Sequence, residues 1–284
     1  MMSKCYQVAG HLIRFSGDLL CQAVSRIDGF RPFAIPDDGQ DATVVFEEGH
    51  EIPAIRKELY PFQYEDVKSV FGQTDNGFLL VQKPDDEAPF YMWVCTDKRK
   101  AYLCGNWSLR LYRFALWLGY GLLTLPYATL AIHSSCITYK DKAVMFLGES
   151  GTGKSTHTRL WRENIDGAFL LNDDSPMLRV EDGKVWVYGS PWSGKTPCYR
   201  NERYELQACV RLSQAPYNRI RKLSLLQAYA SLHPSCAPEF AYADALYDDV
   251  SRTLGQILSL VPVYHLECLP DADAARLSCQ TLFS

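Results

Sequence analysis

The sequence lacks the cysteine spacings that mark most structural zinc and redox sites. It has ten cysteines in 284 residues, but none of them forms a CxxC pair. Several lie in apolar stretches, such as Cys95, Cys209 and Cys268. Because a free cysteine packs as a small hydrophobe, we expect these side chains to be buried in a protein from a reducing compartment.

An excess of one charge is also missing. The 29 basic and 33 acidic residues leave a net charge of −4, and no long block of like charge occurs. This balance disfavours nucleic acid as a partner. Hydrophobic residues at 47% and charged residues at 22% exclude disorder for most of the chain. The first residues contain no apolar core of signal-peptide length, so a cytoplasmic location is expected.

One uncharged run, residues 114–132, approaches the length of a membrane span. Gly119, Gly121 and several hydroxyl-bearing residues interrupt it, and Pro126 should end a helix there. We therefore expect a buried helix followed by a strand, with no membrane partner.

The two parts of the chain have different patterns. Residues 1–105 contain short apolar runs, at 42–46, 77–81 and 90–95, separated by turn-forming residues, which predicts a smaller β-rich accessory domain. In residues 106–284 strands alternate with helices, which indicates an α/β domain. A hairpin with a four-residue turn is expected between residues 177–180 and 185–188.

The motif that carries chemistry is GESGTGKS at residues 148–155, which matches GxxxxGK[ST] at every fixed position. Its glycines allow the backbone N–H groups to face phosphate oxygens, and the following helix favours negative charge at its N-terminus. Lys154 is expected to reach the β and γ phosphates of ATP, and Ser155 to bind Mg²⁺. The predicted nucleotide-binding set is Gly148, Glu149, Ser150, Gly151, Thr152, Gly153, Lys154, Ser155, Thr156 and Lys195.

A second element is the strand 169–171, which ends in Asn172, Asp173 and Asp174. One Asp would hold the metal, for which we assign Asp173, and the other would accept a hydroxyl proton as general base. Either carboxylate could be the base.

Three further features are weaker. The loop 188–196 holds Trp192 and Lys195, and Lys195 could clamp a phosphate or an acceptor. His157 is expected on the surface of the helix after the motif. His265 lies in an apolar strand and is expected to be structural.

Together, His133, GESGTGKS and the Asn172-Asp173-Asp174 strand end resemble the catalytic domain of the bacterial HPr kinase/phosphorylase family. That family is itself similar to ATP-dependent phosphoenolpyruvate carboxykinases. The resemblance covers residues 128–200 and implies a P-loop kinase that phosphorylates a serine hydroxyl. It places His133 beside the phosphates and makes Asp174 or Asp173 the base, which would act as an acid in reverse phosphorolysis. In HPr kinases an Arg-Gly stretch follows the acidic pair, whereas residues 189–196 stand there in this chain.

The expected function is therefore an ATP- and Mg²⁺-dependent kinase acting on a protein, peptide or small hydroxyl acceptor, with a homo-oligomer left open. Two alternatives remain. One is a nucleotide-dependent sensor without phosphate transfer, and the other is an enzyme of the phosphoenolpyruvate carboxykinase type. No NKxD or LSGGQ motif supports a GTPase or a transporter ATPase.

Overall fold

A computed structural model describes residues 2–49, 51–97, 99–194 and 196–284. The chain divides into two compact units, one of residues 1–127 and 238–247, the other of residues 128–237 and 248–284. The coarse prediction of a mixed α/β protein is confirmed, because each unit contains a large sheet with helices.

The first unit is built on a nine-stranded sheet in the order β3-β1-β2-β4-β9-β8-β7-β6-β5. Its elements are β1 (Ser3–Val8), β2 (His11–Ser16), α1 (Asp18–Ser25), β3 (Ala34–Ile35), β4 (Val44–Glu48), β5 (Lys57–Tyr64), β6 (Val67–Thr74), β7 (Gly77–Pro84), β8 (Phe90–Cys95), β9 (Lys100–Gly105) and α2 (Leu109–Thr124).

Helix α2 packs on this first sheet. Gly119 permits a close approach, because a Cβ at that position would lie 2.6 Å from the sulfur of Met92 and 3.0 Å from the ring of Phe46. The Tyr120 hydroxyl donates to the backbone oxygen of Val8 at 2.9 Å. The contacts thus divide the chain after residue 127, whereas the sequence placed the boundary after residue 105. Within the described residues, no helix is both long and apolar enough to cross a membrane.

The second unit is built on a sheet with the order β10-β14-β15-β16-β12-β11-β13, to which β18 adds beside β16 and β17 beside β18. Its elements are β10 (Thr129–Ala131), β11 (Ser134–Tyr139), β12 (Lys142–Leu147), α3 (Lys154–Asn164), β13 (Phe169–Asp174), β14 (Met177–Glu181), β15 (Lys184–Tyr188), β16 (Arg203–Gln214), β17 (Arg219–Lys222), α4 (Leu225–Leu232), α5 (Asp244–Leu260, whose first turn lies in the first unit), β18 (Val263–Cys268) and α6 (Ala272–Leu282).

Strand directions bring several strand ends to one edge of this sheet. β16 is parallel to both β12 and β18. β11 is antiparallel to both β12 and β13, so β13 points the same way as β12. The carboxyl ends of β12, β13, β16 and β18 therefore share an edge, as in sheets where ligands bind at strand ends. Helices α3 and α6 cover one face, with Trp161 and Phe146 fully buried between α3 and the sheet.

The turn between β14 and β15 is shorter than predicted. It has two residues instead of four, because Asp182 and Gly183 both take positive φ, 50° and 71°, and the strands continue up to them. Two consecutive positive φ angles match the right-handed twist of the flanking strands.

Candidate functional site

The glycine-rich loop, residues 148–153, connects β12 to α3. Gly148, Gly151 and Gly153 have φ angles of 150°, 83° and 102°, which disfavour residues with a side chain. A Cβ at Gly151 or Gly153 would meet no atom within 4 Å, so the loop is open to a ligand there. Gly153 precedes the first helical residue, Lys154, and no side chain of the described residues caps the helix. The first N–H groups of α3 are thus free for an anion.

The side chain of Lys154 folds back onto the glycine-rich loop. Its Nζ donates to the backbone oxygens of Gly148 at 2.7 Å and Glu149 at 3.1 Å. Burial lowers the pKa of the Lys154 amine, while the carboxylates of Asp174 and Asp173 act in the opposite direction. The amine is therefore held near both acids and the loop.

The two neighbouring aspartates have different partners. The Ser155 hydroxyl donates to the carboxylate of Asp173, at 3.1 Å from Oδ1 and 3.2 Å from Oδ2. The Oδ1 of Asp174 instead lies 3.1 Å from Nδ1 of His133. Asp173 is buried, whereas 38% of the Asp174 side chain and 49% of the His133 side chain are exposed. The side chains of Asp174 and His133 are thus accessible from solvent, whereas that of Asp173 is not.

Asp174 has a strained backbone. Its φ of 152° is uncommon for a residue with a Cβ. Asp174 forms a β-bridge with Ser193, and Gly194 N–H donates to the backbone oxygen of Asp173 at 2.6 Å. Strain of this kind persists where the surroundings enforce it, and it concentrates at functional sites.

Asn172 holds residues 190–193 in place, and this segment contains Ser193, the bridge partner of Asp174. The fully buried amide nitrogen of Asn172 donates to Trp192 O at 3.0 Å and to Ser190 Oγ at 3.3 Å, and its oxygen accepts from Ser175 N at 3.0 Å. The loop predicted to be functional, 188–196, is thus joined to the acidic strand end. Lys195, assigned to this loop as a phosphate-binding residue, lies outside the described residues.

A cavity of about 510 Å³ adjoins the glycine-rich loop on its α3 side. Gly151, Gly153 and Thr156 line the cavity where it meets the loop and the start of α3. The rest is mostly apolar and comes from α3 and from the ends of β16 and β18, namely His157, Leu160, Leu212, Gln214, Ala215, Cys268, Leu269 and Pro270, with Thr152 on the loop side. Gln214 also donates to the backbone oxygen of Gly151 at 3.2 Å.

His157 was expected on the helix surface, and this expectation is wrong. The residue is 2% exposed and lines the cavity. Trp161 Nε1 lies 3.2 Å from His157 Nε2 and 2.9 Å from the hydroxyl of Ser278. Because the indole N–H only donates, it points toward the imidazole lone pair and the hydroxyl oxygen. Burial lowers the pKa of His157 to about 4, so the ring is neutral at pH 7.

The structure thus brings together five of the residues predicted for catalysis or metal binding: His133, Lys154, Ser155, Asp173 and Asp174. Sequence analysis missed the cavity wall formed by Leu212, Gln214 and residues 268–270, because these segments are distant in sequence. It also missed Arg211, which lies 3.8 Å from Glu149 of the loop.

Comparisons with known proteins add little. No family model matches the chain, and no curated protein matches it. Among solved structures, the HPr(Ser) kinase/phosphatase from Coxiella burnetii is 12% identical, with 54% of this chain and 92% of that chain covered at a TM-score of 0.31. Because this TM-score is too low to establish a shared fold, the function proposed below rests on the residues themselves.

Proposed function

We propose that the chain is an ATP-dependent kinase that transfers the γ-phosphate to a serine or another hydroxyl. The observation that carries this proposal is that two adjacent carboxylates have different partners. Asp173 accepts from Ser155, whereas Asp174 contacts His133. A phosphate transfer to a hydroxyl needs a metal-binding carboxylate and a separate proton acceptor in one site.

The glycine-rich loop fits the triphosphate of a nucleotide. Its open glycines, the free N–H groups at the start of α3 and the ammonium group of Lys154 provide donors around one position. The adjoining cavity has the volume of a small-molecule pocket, and its apolar wall would take the base.

Ser155 and Asp173 fit Mg²⁺. This ion is usually held by one or two protein oxygens, with the rest of its shell from phosphates and water. A hydroxyl and a carboxylate already in contact at 3.1 Å provide that set. Bound there, Mg²⁺ would neutralise charge that develops on the transferred phosphate.

Asp174 is the residue we assign as general base, because it is the more exposed of the two acids and its carboxylate does not contact Ser155. It would accept the acceptor's hydroxyl proton. His133 would orient the Asp174 carboxylate through the 3.1 Å contact, and its own backbone is fixed by donation to Ser235 O at 2.7 Å. Lys154 would stabilise the negative charge of the phosphates.

The test is transfer of label from γ-labelled ATP, with Mg²⁺, to proteins and small molecules of a cell extract. Asp174→Asn should abolish the transfer while nucleotide binding is kept. Asp166→Asn, an exposed aspartate in the loop after α3, is the matched control and should transfer normally. Undiminished transfer by Asp174→Asn contradicts the assignment of the base. Nucleotide binding without any transfer by the unmodified protein favours a sensor over a kinase.

A further inference from the structure

A row of cross-strand neighbours leads away from the glycine-rich loop across four adjacent strands. Leu147, the last residue before the loop, pairs with Arg211 on β16. Arg211 pairs with His265 on β18, and His265 pairs with Arg221 on β17. With about 4.8 Å between strands, the row is roughly 14 Å long. We refer to Arg211, His265 and Arg221 as the arginine row.

The histidine of the arginine row is neutral and held in one tautomer. Its Nδ1 lies 3.5 Å from Nη2 of Arg221, and its Nε2 lies 2.8 Å from the hydroxyl of Ser213. Because a guanidinium only donates, Nδ1 accepts, and Nε2 carries the proton and donates to Ser213. Burial lowers the pKa of His265 and the nearby arginines lower it further, while the carboxylate of Glu267 acts in the opposite direction. The positive charge of the row therefore comes from its arginines.

These two arginines have little compensation from carboxylates. Arg221 contacts His265 and the side-chain oxygen of Gln227, and none of its contacts in the described chain is with a carboxylate. The carboxylate nearest to Arg211 is that of Glu149, 3.8 Å away on a side chain that is 85% exposed. Arg219, which is also on β17, differs from these two arginines because it forms an ion pair with Glu267 at 2.6 Å.

The outer strand of this region, β17, has one edge without a described partner. It pairs with β18 on its other side, and Arg219, Arg221 and Lys222 are exposed. Charged side chains on an edge strand prevent aggregation through that edge, and this role is enough to explain a lysine at position 222. Protection of an edge does not explain Arg211, because Arg211 lies on an inner strand. His265 is the cross-strand neighbour of both Arg211 and Arg221.

We propose that the arginine row binds an acidic segment of the acceptor, which is then a peptide or protein. This proposal rests on the kinase function above, because the row begins beside the loop where the phosphates would bind. An arginine row about 10 Å long, which is two strand spacings, exceeds a single anion but matches about three residues of extended peptide at roughly 3.3 Å per residue. Asp174, on β13, lies three strands from Arg211 and five from Arg221. The favoured acceptor would therefore carry Asp or Glu about four to seven residues from its phosphorylated hydroxyl.

The probes for the test are fluorescein-labelled peptides with one central serine and a Glu-Glu pair placed two to eight residues away on either side. Each has a Gln-Gln twin, and binding to the full chain is followed by anisotropy. We expect the best Glu-Glu peptide to bind about tenfold more tightly than its twin, with a preference that weakens as salt is raised. Arg211→Gln with Arg221→Gln should remove the preference.

Two controls separate charge recognition from damage to the fold. Arg221→Lys keeps the positive charge and should retain most of the preference. Arg276→Gln removes an exposed arginine of α6 that pairs with Asp273, and it should leave the preference unchanged. The proposal is overturned if no Glu-Glu peptide is preferred, or if Arg276→Gln weakens the preference as much as the double variant does.

Binding of a non-hydrolysable ATP analogue to the same proteins distinguishes this proposal from the kinase function. We expect Arg221→Gln to bind the analogue as the unmodified chain does, because Arg221 lies two strands further from the loop than Arg211. Loss of the acidic preference with nucleotide binding intact locates the peptide site in the arginine row. An unmodified chain that binds no nucleotide contradicts the kinase function, while the peptide preference is still measured directly.

Discussion

Ser155 donates its hydroxyl to the carboxylate of Asp173, at 3.1 and 3.2 Å from the two oxygens. The bond joins the first turn of α3 to the carboxyl end of β13, although the residues are 18 positions apart. Two oxygen groups of the kind that hard cations prefer thus lie next to the start of a helix and the amine of Lys154.

The first prediction concerns this pair. Ser155→Ala removes one proposed ligand of Mg²⁺, and the affinity for the Mg²⁺ complex of an ATP analogue should fall about tenfold. Stability should fall by about 1 kcal/mol or less, because one hydrogen bond is lost. Titration calorimetry with and without Mg²⁺ measures the first effect.

Ser150→Ala is the matched control, because Ser150 is an exposed serine of the same loop. It should leave the effect of Mg²⁺ unchanged. If Mg²⁺ strengthens nucleotide binding in Ser155→Ala as much as in the unmodified protein, Ser155 is not a ligand.

The second prediction concerns the strain at Asp174. Asp174→Gly and Asp174→Ala both remove the carboxylate, but the glycine variant also relieves the φ of 152°. We expect the glycine variant to be more stable than the alanine variant by about 1 kcal/mol, as strain relief exceeds the entropy that glycine adds to the unfolded chain. Urea unfolding of the two proteins measures the difference. Equal midpoints would show that the backbone at this position is not strained.

The third prediction concerns Asn172. Its amide is fully buried and fixes the segment that holds Asp174. Asn172→Ala should cost about 2–3 kcal/mol of unfolding free energy, because it removes the acceptor of the buried Ser175 N–H and the donor to Trp192 O and Ser190 Oγ. Asn164→Ala removes a bond to Leu160 O within a partly exposed helix end and should cost less than about 1 kcal/mol. Similar costs for both variants would contradict this account of the loop.

The fourth prediction concerns pH. His157 takes up its proton near pH 6.5 when unfolded, but burial lowers the pKa in the folded state to about 4. As the pH falls from 6.5 to 4, the unfolded chain binds this proton first, so stability is lost in that window. The expected loss is about 3 kcal/mol at pH 4.

His157→Gln lacks the titrating group, so its stability should fall less steeply between pH 6.5 and 4 than that of the unmodified chain. The slope is the informative quantity, since the substitution also disturbs the bond to Trp161. Parallel curves for the two proteins would mean that His157 is protonated in the folded state as well.

The sequence predicted the local elements of the second unit well. The glycine-rich loop, the helix that begins at Lys154 and the strand that ends at Asp174 all lie where the motif and the apolar runs indicate. Each depends on signals within a few residues, such as the glycines of the loop, which take positive φ.

The central strand β16 was not predicted, although a signal was present. Tyr204, Leu206, Ala208, Val210 and Leu212 alternate with polar residues and Cys209, which is the period of a half-buried strand. The order in which the strands pair could not be predicted from signals within a few residues, and only the resemblance placed His133 near the acids. His133 meets Asp174, and Leu269 reaches the cavity beside Gly151, because strand order determines these contacts.

The most direct test of the central claim is calorimetric titration of the full chain with a non-hydrolysable ATP analogue and Mg²⁺. The account predicts binding that requires Mg²⁺ and that Lys154→Ala weakens by at least about tenfold, since the amine is held at the glycine-rich loop. Failure to bind the analogue, or equal binding by Lys154→Ala, would contradict the claim that this loop is a nucleotide site.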